Sequence, residues 1–185
     1  MSTIKERIAL LRDAMRKAGV SACIVPGTDP HASEYIAECW KDRVWISGFN
    51  GSAGTVVVSL NNAGLWTDSR YFLQAADQLA GSGIDLMKMG LSETPDQISW
   101  ISTELKAGEK VAVNPQMFSV NGYAALQSDL KQFGIELVSL DLMSEVWTNR
   151  PTKPLNPFFV FDAKYTGKIA AEKLTYLRKK KKKQR

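Results

Sequence analysis

The stretch TVVVSLNNAGLWTDSRYFLQAADQL, Thr55 to Leu79, decides the fold. Thr55 to Leu60 is a valine-rich run, and β-branched side chains favour extended backbone. Asn61-Asn62-Ala63-Gly64 is a hairpin-type turn, and Leu65 to Thr67 is the return strand. Asp68 then offers a carboxylate to cap a helix whose inward positions are Phe72, Ala75, Ala76 and Leu79. A hairpin that feeds directly into a helix predicts α/β layers with a mixed sheet.

Working outward, the upstream chain opens on a helix. Thr3 and Glu6 have capping-box spacing, Ile4, Ile8, Leu11 and Met15 share one face, and Gly19 is the stop. Val20 to Val25 reads as a buried strand ending at Pro26-Gly27. Asp29 is expected to cap a short helix through His31, Ser33 and Tyr35, and Val44 to Ser47 reads as a short strand.

Downstream, Ile84 to Met89 is a strand candidate. Thr94-Pro95-Asp96-Gln97 reads as a second capping box, followed by Ile98, Ile101 and Leu105 at helical spacing. Val111 to Val113 is a strand, Ser119 opens a helix through Tyr123, Leu126, Leu130 and Phe133, and Ile135 to Leu140 is the next strand. The fold class predicted is α/β, a mixed sheet flanked by helices. Residues 1–150 form its domain, and 151–157, with Pro151, Pro154 and Pro157, is a proline-rich connector. Residues 158–185 read as the start of a second, truncated domain, with a strand at Phe158 to Phe161, a helix from Ile169 and a basic tail.

The net charge of +5 belongs to the end of the chain. Arg178, Lys179 to Lys183 and Arg185 hold seven of the 24 basic residues, and the other 17 face 19 acidic ones. The body is thus slightly acidic, and no nucleic-acid partner is expected. The tail reads as a solvated or disordered end, with a nucleic-acid or anionic-membrane contact as the alternative. No apolar run reaches the roughly 18 residues of a membrane span, and the first helix carries acidic residues unlike a signal peptide. The expectation is a cytoplasmic protein without a membrane partner. Cys23 sits in an apolar run and reads as a small buried hydrophobe.

Three features carry candidate chemistry. The glycines of Gly48-Phe49-Asn50-Gly51-Ser52-Ala53-Gly54 are spaced by three, which fits neither a dinucleotide fingerprint nor a P-loop, and Ser52 is not in a nucleophile elbow. The segment is either a tight turn or a loop presenting backbone amides to a ligand or a neighbouring domain. His31, the sole histidine, lacks the companions of a metal site or a hydrolytic triad and reads as structural or interfacial. Arg70 follows the cap Asp68 by two positions, where a helix N-terminus disfavours a cation. It either pairs with Asp68 or Asp42, or aims its guanidinium at a substrate carbonyl, a carboxylate or an adjacent domain.

The runs His31-x-Ser33-Glu34-Tyr35-Ile36, Ser47-Gly48-Phe49-x-Gly51-Ser52-Ala53-Gly54-Thr55 and Leu65-Trp66-Thr67-Asp68-x-Arg70-Tyr71-Phe72-Leu73-Gln74-Ala75-Ala76 closely resemble the N-terminal domain of Xaa-Pro aminopeptidases (aminopeptidase P) in their longer, three-domain form. Leu86 to Leu91, Val146-Trp147-Thr148-x-Arg150-Pro151 and Tyr165-Thr166-Gly167 extend the match over about residues 4 to 177. The resemblance implies a creatinase-type N-terminal domain of a metallopeptidase that removes the residue preceding proline. It implies an accessory domain, inactive alone, that helps shape the active-site entrance and a homodimer. Arg70 falls at a substrate-binding position, with His31, Phe49, Ser52 and Asp68 as candidates for the interface or the entrance. The implied partners are the missing catalytic domain and a peptide substrate. That domain would hold two divalent metals, manganese in the usual case. None of its metal ligands is found in this chain, for which a truncation, a frame slip or a cloning boundary would account. The rival reading is a non-catalytic peptide- or protein-binding module of the same fold.

Overall fold

The computed structural model describes residues 2–182. The chain divides into two units between Lys153 and Pro154.

The first unit is built on one sheet. Its strands are β1 (Ala22–Pro26), β2 (Thr55–Ser59), β3 (Ala63–Thr67), β4 (Asp85–Lys88), β5 (Lys110–Val113) and β6 (Glu136–Ser139). They lie in the order β4-β3-β2-β1-β5-β6. The β1–β2 and β2–β3 pairs are antiparallel, and the β3–β4, β1–β5 and β5–β6 pairs are parallel. The sheet is therefore mixed, as the hairpin predicts.

Period-two alternation sends neighbouring residues to opposite faces, and here both faces are covered. Cys23, Val25, Val56, Val58 and Leu65 pack with Leu11, Met15, Ile46 and Phe49 on one side. Ala22, Ile24, Val57 and Trp66 pack with Trp100, Ile101 and Leu130 on the other. A sheet covered on both faces reads as continuous apolar runs, which explains the valine-rich β2. The helices doing the covering are α1 (Ile4–Ala18), α2 (Asp42–Ser47), α3 (Phe72–Gln78), α4 (Gln97–Glu104), α5 (Val120–Lys131) and α6 (Met143–Val146).

The α1 boundaries are as the sequence predicts. Thr3 Oγ1 accepts from the Glu6 N–H, Glu6 accepts from the Thr3 N–H, and Gly19 closes the helix at φ 67°. Elsewhere, tertiary context overrides local preference. Val44 to Ser47 is the last four of the six residues of helix α2, not a strand. Its buried residues are Asp42, Arg43, Ile46 and Ser47, a helical spacing, and β1 already has β2 and β5 as neighbours. No helix follows Asp29. Its Oδ1 instead accepts from the N–H groups of His31 (2.9 Å) and Ser33 (3.0 Å), and Ala32 at φ 50° breaks any helical run.

The cap of α4 is Asp96, which accepts from the Ser99 N–H at 2.9 Å, so Pro95 precedes the cap instead of following it. On α3, Ala75 is buried but Ala76 is exposed, and Leu79, just past the helix, is buried. Phe133 lies beyond α5 and is half exposed.

The second unit contains α7 (Ala163–Thr166) and α8 (Ala170–Lys182). Phe158 to Phe161 forms no strand, and the described residues of its own unit include no other strand to complete a hydrogen-bond ladder. No helix among the described residues is long and apolar enough to cross a membrane.

Candidate functional site

The glycine turn, the end of β3 and the start of α3 meet in one face. The turn is built from below. Arg43, on α2, is only 4% exposed and donates from Nη2 to the Gly51 carbonyl. Its guanidinium lies 5.0 Å from the Phe49 ring, and Phe49 is fully buried. A Cβ at Gly51 would collide with Phe49 and Tyr71, and one at Gly27 would collide with Arg43 and the Gly54 carbonyl. Close approach, more than turn geometry, explains these two glycines.

Two further ties hold the turn to its surroundings. Thr67 Oγ1 donates to the Ala53 carbonyl at 2.7 Å, and the Gly27 N–H donates to Gly54 O at 3.0 Å. Asn50 is clamped from α3: its N–H donates to Gln78 Oε1 at 3.1 Å, and its Oδ1 accepts from Gln74 and Gln78.

On the outer side, Ser52 Oγ and Tyr71 Oη share a hydrogen bond of 2.5 Å. The Tyr71 ring meets Phe49 edge-on at 5.9 Å, and the Arg70 guanidinium lies 5.2 Å from the Tyr71 ring. The Ser52 hydroxyl, and the Arg70 charge more weakly, hold the Tyr71 phenol below its ordinary pKa. Asp68 caps this turn: its Oδ1 accepts from the Arg70 N–H at 3.1 Å. Arg70 donates back through Nε and Nη2, both at 2.8 Å, a bidentate pair. Those bonds hold the Asp68 carboxyl below the usual range and raise the Arg70 guanidinium. Asp68 thus neutralises the cation that the helix start disfavours. Arg70 remains two-thirds exposed, available to a further acceptor.

Beside the turn lies a cleft of about 420 Å³, lined by Glu34, Tyr35, Ile36, Lys41, Arg43 and Ser52, among others. Of the sequence candidates, Ser52, Asp68 and Arg70 come together around Tyr71. Phe49 serves from the core rather than from the surface. His31 is exposed in the loop that borders the cleft, its N–H held by Asp29.

Sequence reasoning missed Arg43 and Tyr71. Reading Val44 to Ser47 as a strand hid Arg43; a helical reading puts it on one face with Ile46 and Ser47. Burial lowers its pKa to about 10, so it stays charged at neutral pH. Among the described residues, no three or more His, Cys, Asp or Glu side chains converge as metal ligands. They supply no donor set for the two-metal centre that the resemblance implies.

Comparison with known proteins decides the family. The model of the creatinase/prolidase N-terminal domain matches residues 7–146. The chain belongs to this family. It is 44% identical over 178 residues to a protein of Neurospora crassa described as a probable Xaa-Pro aminopeptidase P, covering 94% of this chain and 26% of that protein. It is 41% identical over 181 residues to aminopeptidase P2 of Arabidopsis thaliana, covering 95% of this chain and 25% of that one.

Among solved structures, X-prolyl aminopeptidase of Caenorhabditis elegans, described as a cytosolic enzyme with a di-nuclear active site, superposes at a TM-score of 0.83. It is 33% identical, and the match covers 100% of this chain and 32% of that one. An aminopeptidase P from Streptococcus thermophilus, 20% identical with a TM-score of 0.57, shares the fold; the match covers 77% of this chain and 97% of that one. This member of the creatinase/prolidase N-terminal family spans about a quarter of the length of the curated relatives it matches.

Proposed function

We propose that this chain serves as the accessory N-terminal domain of a cytoplasmic, metal-dependent Xaa-Pro aminopeptidase. In that reading it helps shape the active-site entrance, supports a homodimer, and is inactive alone. The observation that carries the reading is the face around Tyr71. It concentrates Ser52, Asp68 and the exposed Arg70 on a braced turn, within the strings that mark the resemblance. An exposed guanidinium whose inner edge is fixed by Asp68 can offer its remaining N–H donors to a peptide carbonyl or carboxylate without first losing its orientation. Hydrolysis by a metal-activated water needs an ordered ligand set. We place that set, two divalent ions with manganese as the expected metal, in polypeptide beyond this chain. The C. elegans relative, described as cytosolic and di-nuclear, supports both placements.

The decisive experiment compares this chain with a longer protein that joins it to a peptidase domain, using an Xaa-Pro peptide and added manganese. The longer protein is expected to release the first residue, and the purified chain is expected to do nothing. Chelator-sensitive turnover by the purified chain would overturn the reading. Peptide binding by the chain, with no gain on attaching a peptidase domain, would favour a stand-alone binding module.

A further inference from the structure

Helix α2 has six residues, too few to hold itself. Its first two side chains leave in different directions, as neighbours on a helix must, and each is anchored to a different part of the body. Asp42, 4% exposed, faces Arg150, with Oδ1 and Nη2 2.6 Å apart and outside hydrogen-bond angles. Arg150 also donates from Nη1 to the Cys39 carbonyl at 2.9 Å and lies 4.8 Å from the Trp147 ring. Trp147 in turn stacks on Trp45 of α2 at 5.5 Å, and Arg7 covers Trp45 at 5.0 Å. Among the described residues Arg43 has no carboxylate partner, and its one hydrogen bond goes to the Gly51 carbonyl, while Nε and Nη1 are buried without acceptors there.

A guanidinium buried in this way is a poor source of stability, since removing a charge from water costs more than one carbonyl returns. It is a good source of direction, because its planar fork admits few orientations.

We infer that Asp42 and Arg43 form a two-ended brace that couples the segment Trp147–Arg150 to the glycine turn, making both positioning residues for the face around Tyr71. The turn's importance rests on the function proposed above; the mechanical coupling does not.

Amide hydrogen exchange on the whole chain, resolved by residue and without substrate, tests the coupling. Arg150→Met keeps an unbranched side chain over Trp147 and removes the charge. The protected amides of Phe49 and Asn50, held by Ser47 and Gln78, are expected to exchange at least about fivefold faster. Coupling free energies are reciprocal. Arg43→Met is therefore expected to speed the amides of Trp147 and Arg150 by a similar factor. Glu104→Gln is the control: it weakens bonds to Ser59 and Asn62, away from α2, and should leave both segments unchanged. If the methionine variants do not fold, Arg150→Lys and Arg43→Lys repeat the reciprocal test with smaller amplitude. Changes confined to the surroundings of each substituted residue, or an equal change in Glu104→Gln, overturn the inference. Since no turnover is measured, that failure is distinct from a failure of the peptidase reading.

Discussion

Phe49 and Phe158 are the same residue in opposite circumstances. Phe49 is wholly buried between Arg43 and Tyr71, whereas Phe158 is 99% exposed in the unit after Lys153. The contrast extends to their neighbours. The first unit packs both faces of its sheet. In the second, Leu155, Phe159, Val160, Tyr165 and Ile169 are all exposed. Apolar sequence alone does not make a core; it needs a second layer against which to lose its water. On this contrast we propose that residues 1–150 are the independently folding domain, with 151–157 as connector and 158–185 as the beginning of another.

The largest effect expected from this contrast is on stability. Phe49→Ala should cost about 3–5 kcal/mol by denaturant unfolding, the range for a large buried aromatic. Phe158→Ala should stay within about 0.5 kcal/mol, as for a surface change. A comparable loss at both sites would erase the distinction between the two units.

The second effect is electrostatic and belongs to the packed unit alone. Burial, aided by Asp141, outweighs Arg150 and pushes the Asp42 carboxyl up to about 6. The unfolded chain should titrate near 3.8, the ordinary value. As pH falls from 7 toward 4, the folded state takes up this proton first, so this group's contribution to stability rises. The stability difference between the protein and Asp42→Asn should therefore shift by up to about 3 kcal/mol in the protein's favour over that window. A difference that is flat with pH would show that Asp42 is not desolvated as the packing indicates.

The third sharpens the contrast within the first unit, between the buried Arg43 and the exposed Arg70. In a longer, active protein carrying this domain, Arg70→Ala should lower kcat/KM by at least about tenfold, a loss of transition-state binding. Its melting temperature should stay essentially unchanged, as expected for an exposed ion pair. Loss of folding with normal specific activity would instead assign Arg70 to structure alone.

The smallest effect concerns backbone access. Limited proteolysis should cut first after Pro157, where the chain is exposed and lacks secondary structure, and leave the packed body intact. A first cut between Thr55 and Ala80 would contradict a domain that ends near residue 150.

Much of the architecture was legible in the sequence, because it rests on local chemistry. The Thr3–Glu6 capping box and the Ser119 cap each depend on groups within a few residues of one another; the β2–β3 hairpin is local too, although its turn is shorter than the sequence predicts, because Ala63 and Gly64 already pair with Val58 and Val57 in β3. The Asp68–Arg70 pair was among the readings left open for the same reason; the two residues are neighbours whatever the fold. The family strings lie in the same local stretches.

What tertiary structure alone decided lies at long separations. Val-Trp-Ile-Ser has strand-like composition, yet it coils into α2 because the sheet has no vacant place beside β1. Arg150 reaches Cys39 across 111 residues, and Ser52 reaches Tyr71 across 19. No periodicity or cap encodes those meetings. They exist because burying both faces of one twisted sheet brings α2, the glycine turn and the start of α3 to the same place, where the buried Arg43 ties down the turn whose Ser52 meets Tyr71.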